Sequence, residues 1–295
     1  MVGVRCSRYP TNFSGGTPIK SSVLALKPVY VDTFRNGINT NVWNVWGAKH
    51  DDYVKYDRGV IRGKQVSVRN NELVVAMSKR SSPRTFSGDP VTQRWWDTGW
   101  ISTKPAYGIT YGAYEVEAIL PTAPHISAGV WSGIWSRPFA SGVGGEIDPA
   151  EAFGHEGAET RHSRAEGFTS TVHFTQNRTL SKTADYRHSS KLSPNTQKPL
   201  STTFHTYGMF KSDQEIIIYL DRKEIHRITR ADRPKAWGAA YPARTPFDVR
   251  ICLQAGGNWG GYPTSRTAQR SEIRVRKVTM WNFETTPLAG VAYRG

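Results

Sequence analysis

Short runs of β-branched and aromatic residues, cut apart by Gly, Pro, Asn and Ser, recur along nearly the whole chain. They occupy Glu72–Ala76, Gly112–Leu120, Gly129–Trp135, Ser170–Phe174, Thr206–Phe210, Glu215–Leu220, Phe247–Leu253 and Ile273–Trp281. Residues of this kind fit a pleated, half-buried surface, and the punctuation supplies the turns. Helical periodicity sustained over eleven or more residues is hard to find, which argues against alternating βα units. The pattern predicts an all-β chain: a two-sheet antiparallel sandwich or a barrel. Q-E-I-I-I-Y-L-D-R-K-E-I reads as a hairpin turning at Asp221–Lys223.

Within that pattern, residues 144–154 read G-G-E-I-D-P-A-E-A-F-G and place Glu146, Asp148 and Glu151 within six positions. Side chains alternate along a strand, so Glu146 and Asp148 share a face and Glu151 points away. One extra residue in a β-bulge returns Glu151 to the common face. Pro149 suits that place, because proline donates nothing to a ladder. Three carboxylates on one face repel unless one holds a proton, which is the condition for a general acid. A pair of carboxyls, one a nucleophile and one an acid/base, is the equipment of a retaining glycosidase. Two other readings stand beside this one: solvated charges on a loop or edge strand, and a metal site. The metal reading lacks a D-x-[DN]-x-[DN]-G loop or a His pair at ligand spacing.

With 295 residues, 38% of them hydrophobic, the chain can bury a full core as one large β domain. No apolar run approaches the roughly 20 residues that span a membrane. The first ten residues lack the apolar segment of a secretion signal. Thirty-nine Lys and Arg against 24 acidic residues give +15, which favours polyanionic neighbours. The basic residues are dispersed and no nucleic-acid-binding motif appears, so nucleic acid is not expected as the main ligand. An acidic polysaccharide, an anionic wall or another protein fits the charge as well. Cys6 and Cys252 do not make a disulfide framework, and Cys252 in V-R-I-C-L-Q reads as a buried thiol. Residues 1–27 read as an N-terminal arm and 28–295 as the main domain. Segments 176–203 and 228–246 read as long loops that suit a cleft wall.

These residues resemble glycoside hydrolase family 16, the jelly-roll group of laminarinases, lichenases, agarases and carrageenases. The likeness rests on E-x-D-x-x-E at Glu146, Asp148 and Glu151. It extends in order through Val31–Phe34 with Trp43, N-N-E-L-V-V-A, Thr98–Pro121, G-V-W-S-G-I-W-S, T-V-H-F, F-H-T-Y-G-M-F and A-G-G-N-W-G-G. The resemblance implies a concave jelly-roll cleft with Glu146 as nucleophile, Asp148 as assisting carboxylate and Glu151 as general acid/base. It implies sugar contacts from Glu115, Trp131, Trp135, His173, Gln254, Asn258 and Trp259. Glu117 stands where the family often has Arg, and Gln254 where many members have Asn. Asn258 also reads as the holder of a Gly-rich turn, and His173 as a structural histidine.

The resulting expectation is a retaining, endo-acting hydrolase of a β-linked polysaccharide, first of all β-1,3-glucan. A galactan or acidic polysaccharide is the alternative, with the chain as a phage tail or cell-surface component. A binding protein on the same fold is the remaining one. No cofactor and no catalytic metal are expected, although a structural calcium is compatible with the family. The polysaccharide substrate is the expected partner, met outside the cell or at a cell or virion surface.

Overall fold

The structure is a computed structural model that describes residues 27–282, apart from 56, 141–143, 155–165, 175–185, 191–197 and 259, with only the backbone of 186–190. Of the expected N-terminal arm, residues 1–26 lie outside the described residues. The early strands are β1 Tyr30–Asp32, β2 Trp43–Val45, β3 Gly59–Ile61, β4 Val66–Arg69, β5 Glu72–Arg84, β6 Arg94–Thr98 and β7 Trp100–Thr103. Then come β8 Gly112–Ile119, β9 Val130–Ser136, β10 Glu146–Phe153, β11 Phe168–His173 and β12 Tyr186–Ser190. The last are β13 His205–Lys211, β14 Glu215–Leu220, β15 Lys223–Thr229, β16 Arg250–Ala255 and β17 Arg270–Asn282, with one short helix, α1, at Pro234–Ala240.

Two sheets pack face to face. The larger runs β15-β14-β13-β8-β17-β5-β6-β3, with β1 added on β17 and β4 on β5. The smaller runs β12-β11-β10-β9-β16-β7-β2. Pairing is antiparallel except between β3 and β6. Neighbours far apart in sequence, such as β8 beside β17 and β9 beside β16, give the sandwich its jelly-roll character, as the family resemblance implies.

Alternation decides what enters the core. In β16, Ile251, Leu253 and Ala255 lie in the main apolar cluster with Leu73, Val75 and Met77 of β5, which packs against β16 across the sandwich. Arg250, Cys252 and Gln254 take the other face. Each fully buried aliphatic side chain contributes about 1.5–3 kcal/mol by leaving water, so slipping one strand by one residue would exchange its whole contribution for buried polar groups. The predicted hairpin is present: Asp221 and Arg222 have φ of 49° and 59°, the pair of positive values that a two-residue type I′ turn requires.

Two segments read as loops differ. β12 occupies part of 176–203. Part of 228–246 forms α1, opened by Pro234 at its first turn, where a missing N–H is harmless. Its Trp237 and Ala240 are buried, too few apolar positions for periodicity to reveal so short a helix. This segment buttresses β10 and β11. The Tyr241 hydroxyl lies 2.6 Å from the His173 carbonyl and 3.0 Å from that of Glu146, tying the facing ends of β11 and β10 together. Gly145 is required there, because a Cβ would stand 2.2 Å from the Ala240 carbonyl oxygen.

Candidate active site

The outer face of the smaller sheet carries the site, and a bulge in β10 builds it. Against β9, Ile147 pairs with Ser136 and Ala150 with Ile134; against β11, Asp148 pairs with Thr171 and Glu151 with Thr169. Three residues of β10 thus span two on each neighbour, and Pro149 sits in the gap. Its carbonyl accepts the Ser170 hydroxyl at 2.9 Å, so the bulged peptide is held from the side. Ile147, Ala150 and Ala152 point into the core. Glu146, Asp148 and Glu151 therefore share the outward face, which they join with His173, Thr171 and Thr169 of β11 and Trp131, Gly133 and Trp135 of β9.

Asp148 is 2% exposed. Burial, followed by the negative charge of Glu146, pushes its carboxyl up to about 6 against the pull of His173 and Arg137. The His173 ring places Nε2 3.2 Å from Asp148 Oδ2 and 3.9 Å from Glu146 Oε1. Arg137 places Nε 3.0 Å from Glu146 Oε2. These are close charge contacts rather than aligned hydrogen bonds: Glu146 Oε2 and Asp148 Oδ2 are both buried without a well-directed donor. Both oxygens keep acceptor capacity for a ligand hydroxyl.

One atom each from Glu146, Asp148 and His173 lie within 4.8 Å of one another, a spacing that a small cation could bridge. Arg137 already brings a permanent positive charge to Glu146, and His173 can bring a second. The cluster therefore reads as proton-handling. No helix among the described residues is long and apolar enough to cross a membrane.

The aromatic platforms are redistributed. Trp131 stays partly exposed, packs on Phe153 with ring centres 4.9 Å apart, and its indole N–H has no acceptor among the described residues. Trp135 does not offer a platform, which corrects the sugar contact that the family resemblance implies. It is 8% exposed, edge-on to Trp100 at 5.9 Å, with the Arg250 guanidinium 4.6 Å above its ring and its indole N–H donating to Cys252 Sγ at 3.3 Å. Ile61, Trp46 and Val54 pack over the same group. Trp46, Val54 and Ile61 thus lie over the β7–β16 half of the face and form a wall with its own small core. Alternation gives both tryptophans the same face but is blind to a wall from elsewhere. Cys252, a free buried thiol, lies in that small core.

Glu115 requires a second correction. It lies on β8 of the other sheet, on the face opposite Tyr114 and Val116, where Arg222 Nε and Nη2 each donate to it at 2.9 Å. Glu117 beside it pairs with Arg276. Both carboxylates belong to the far side of the sandwich, away from the Glu146 cluster. Gln254 faces the site side opposite Trp131, 7% exposed. Asn258 is exposed and accepts the Tyr262 hydroxyl at 3.0 Å in a turn closed by a Gly257–Gly261 bridge. Gly257, at φ 155°, passes under the Trp131 ring, which a Cβ would meet at 3.0 Å. Trp259 lies outside the described residues.

Sequence reasoning missed Arg137, Asp248, Arg250 and Tyr241. Asp248 is 2% exposed and accepts the Arg137 backbone N–H at 2.8 Å and Arg250 Nε at 2.6 Å. The alternation of Asp248 and Arg250 with Val249 and Ile251 marks them as one face of a strand. Nothing local joins Arg137 to Glu146 nine residues later.

A sandwich with a bulged, carboxylate-bearing strand on its outer face matches the family described as Glycosyl hydrolases family 16 over residues 55–272, and the chain belongs to it. Among curated proteins it is similar to the Glucan endo-1,3-beta-glucosidase A1 of Niallia circulans, 26% identical over 292 residues, 89% of this chain and 38% of that protein. It is also similar to the Beta-glucanase of Rhodothermus marinus, 26% identical over 185 residues, 59% of this chain and 57% of that protein. The chain thus spans well under two thirds of both. Among solved structures, the laminarinase catalytic domain of Thermotoga maritima MSB8 superposes with a TM-score of 0.68 at 20% identity, covering 87% of this chain and 98% of that one. The endo-beta-1,3-glucanase of Pyrococcus furiosus gives 0.67 at 19%, covering 87% and 94%. At such identities these structures establish the fold.

Proposed function

We propose that the chain is a retaining, endo-acting glycoside hydrolase whose substrate is a β-1,3-linked glucan. The carrying observation is the bulge that brings Glu146 and Glu151 to one face with Asp148 between them. In the first step Glu146 attacks the anomeric carbon while Glu151 gives its proton to the departing glycosidic oxygen. In the second, Glu151 takes a proton from water as the water oxygen bonds to that carbon, and the bond to Glu146 breaks with its electrons returning to the carboxylate. Asp148, buried and shared between Glu146 and His173, steadies the cluster as the charge on Glu146 disappears and returns. Trp131 supplies an aromatic surface for the apolar face of a sugar ring.

The named activities of the relatives from Niallia circulans and Rhodothermus marinus support a β-glucan substrate. A polymer of this kind is met outside the cell or at its surface, where we place the activity. No metal or organic cofactor is assigned a step.

Digestion of laminarin, lichenan, agarose, carrageenan and an acidic polysaccharide, with product analysis by NMR, tests the reading. Laminarin should yield a ladder of oligosaccharides whose new reducing ends appear first as the β-anomer. Glu146→Gln should lower turnover by about a thousandfold or more without loss of folding, since it removes the nucleophile and little volume. First appearance of the α-anomer, or full activity in that variant, refutes the proposal.

A further inference from the structure

We propose that Arg137 is the positioning residue of Glu146: a fixed positive charge that keeps this carboxylate ionised beside its acidic neighbours and receives it when it leaves the sugar. The inference rests on the proposed function and adds a residue that lies outside the E-x-D-x-x-E motif.

Among the described residues, the groups facing Glu146 come from three elements. On its own strand are Asp148 and Glu151. From β11, His173 lies nearer Asp148 than Glu146, at 3.2 Å against 3.9 Å. From the end of β9, Arg137 reaches Glu146 Oε2 at 3.0 Å. A nucleophile needs its charge, yet two further carboxyls on the same strand work against it. Histidine can lose its proton in the working range, whereas a guanidinium cannot. Arg137 is therefore the contact that favours charge on Glu146 whatever the state of His173.

The surroundings hold Arg137 in place from behind. Its backbone N–H donates to Asp248 at 2.8 Å, and Pro138 next to it bridges to Phe247. Asp248 is itself buried and held by Arg250 at 2.6 Å. The Arg137 side chain remains 32% exposed, so the pair is partly screened and its charge can respond to the reaction.

This placement acts unequally on the two steps. In the first, Glu146 gives up its charge as the C–O bond to the sugar forms, and the contact with Arg137 weakens. In the second, water adds to the anomeric carbon, Glu151 takes its proton, and the electron pair of the breaking C–O bond returns to Glu146 beside Arg137. A leaving carboxylate is better when a cation meets it, so loss of Arg137 slows release of the sugar most.

The test compares wild type, Arg137→Gln and Arg137→Lys. Carboxyl titration by 13C NMR on Glu-labelled protein, with the Glu146 signal assigned by Glu146→Gln, needs no substrate. In Arg137→Gln the Glu146 titration and the acid limb of kcat/KM should both move up, because the cation 3.0 Å from the carboxylate is gone. Turnover of an aryl laminaribioside should fall about tenfold, with glycosyl-enzyme accumulating in intact-mass spectra. Arg137→Lys should restore most of the titration and the limb. Unchanged Glu146 titration in Arg137→Gln, or no restoration by Lys, overturns the proposal. Should the Gln variant fail to fold, Arg137→Lys decides: it keeps the cation and should keep most of the wild-type turnover, and loss of turnover in a folded Lys variant equal to that expected of Gln overturns the proposal. A wild type inactive on every glycan would refute the proposed function and leave the titration standing as a separate result.

Discussion

Asp148→Asn tests whether the buried carboxyl between Glu146 and His173 carries the charge that its surroundings imply. Its native value of about 6 lies about two units above the ordinary 3.8, so the folded protein binds a proton more tightly than the unfolded chain. Stability from this group is therefore fully present below the unfolded value and is lost as pH rises through about 6. Two units correspond to about 3 kcal/mol in all, of which about 2 kcal/mol disappears between about pH 4.5 and about pH 8. Since the group is 2% exposed, solvent screening removes little of this. The asparagine keeps the shape and lacks the titration. Urea unfolding of both proteins at the two pH values gives a double difference in which distant groups cancel, notably Asp57, which burial raises to about 7. The double difference reports the joint titration of Asp148 and its neighbour Glu146. The wild type should lose about 2 kcal/mol more than the variant on going to high pH, or about 4 °C in melting temperature. Parallel pH dependence in the two proteins would refute the reasoning and show that Asp148 is charged at little expense. Activity should fall in the variant as well, because Glu146 loses its neighbour's charge and proton.

Three further outcomes follow from the placement of individual side chains. Trp135→Ala should destabilise the fold by about 3–5 kcal/mol by opening a cavity in the small core under the wall. Trp131→Ala should instead raise KM for glucan with a smaller loss of stability; a reversal of these two results in unfolding and kinetic assays would remove the distinction drawn between them. Glu115→Gln should leave KM unchanged and affect stability by about 1 kcal/mol or less, since its Arg222 partner is half exposed. A rise in KM there would return Glu115 to the cleft. Binding of a neutral β-glucan should change little between low and physiological salt, despite the +15 charge; a steep decline would favour an acidic polysaccharide.

The sequence by itself determined the fold class and the central strand of the site, because both are local patterns. Period-two alternation decides which residues of a strand enter the core, and an interrupted alternation with Pro149 at the break predicts a bulge whose geometry the chain then adopts. Tertiary structure alone decided what stands against each face. Glu115 alternates like a site residue, but its strand joins the other sheet, and only the order of strands assigns it to the far side. Trp135 shares a face with Trp131, yet a segment about eighty residues earlier covers one and leaves the other partly open. Arg137 meets Glu146 because β9 and β10 run side by side in opposite directions, bringing the end of one strand to the start of the next. Strand order and covering segments are products of packing over long sequence separations, and a contact across strands depends on register, so no spacing along one strand encodes them.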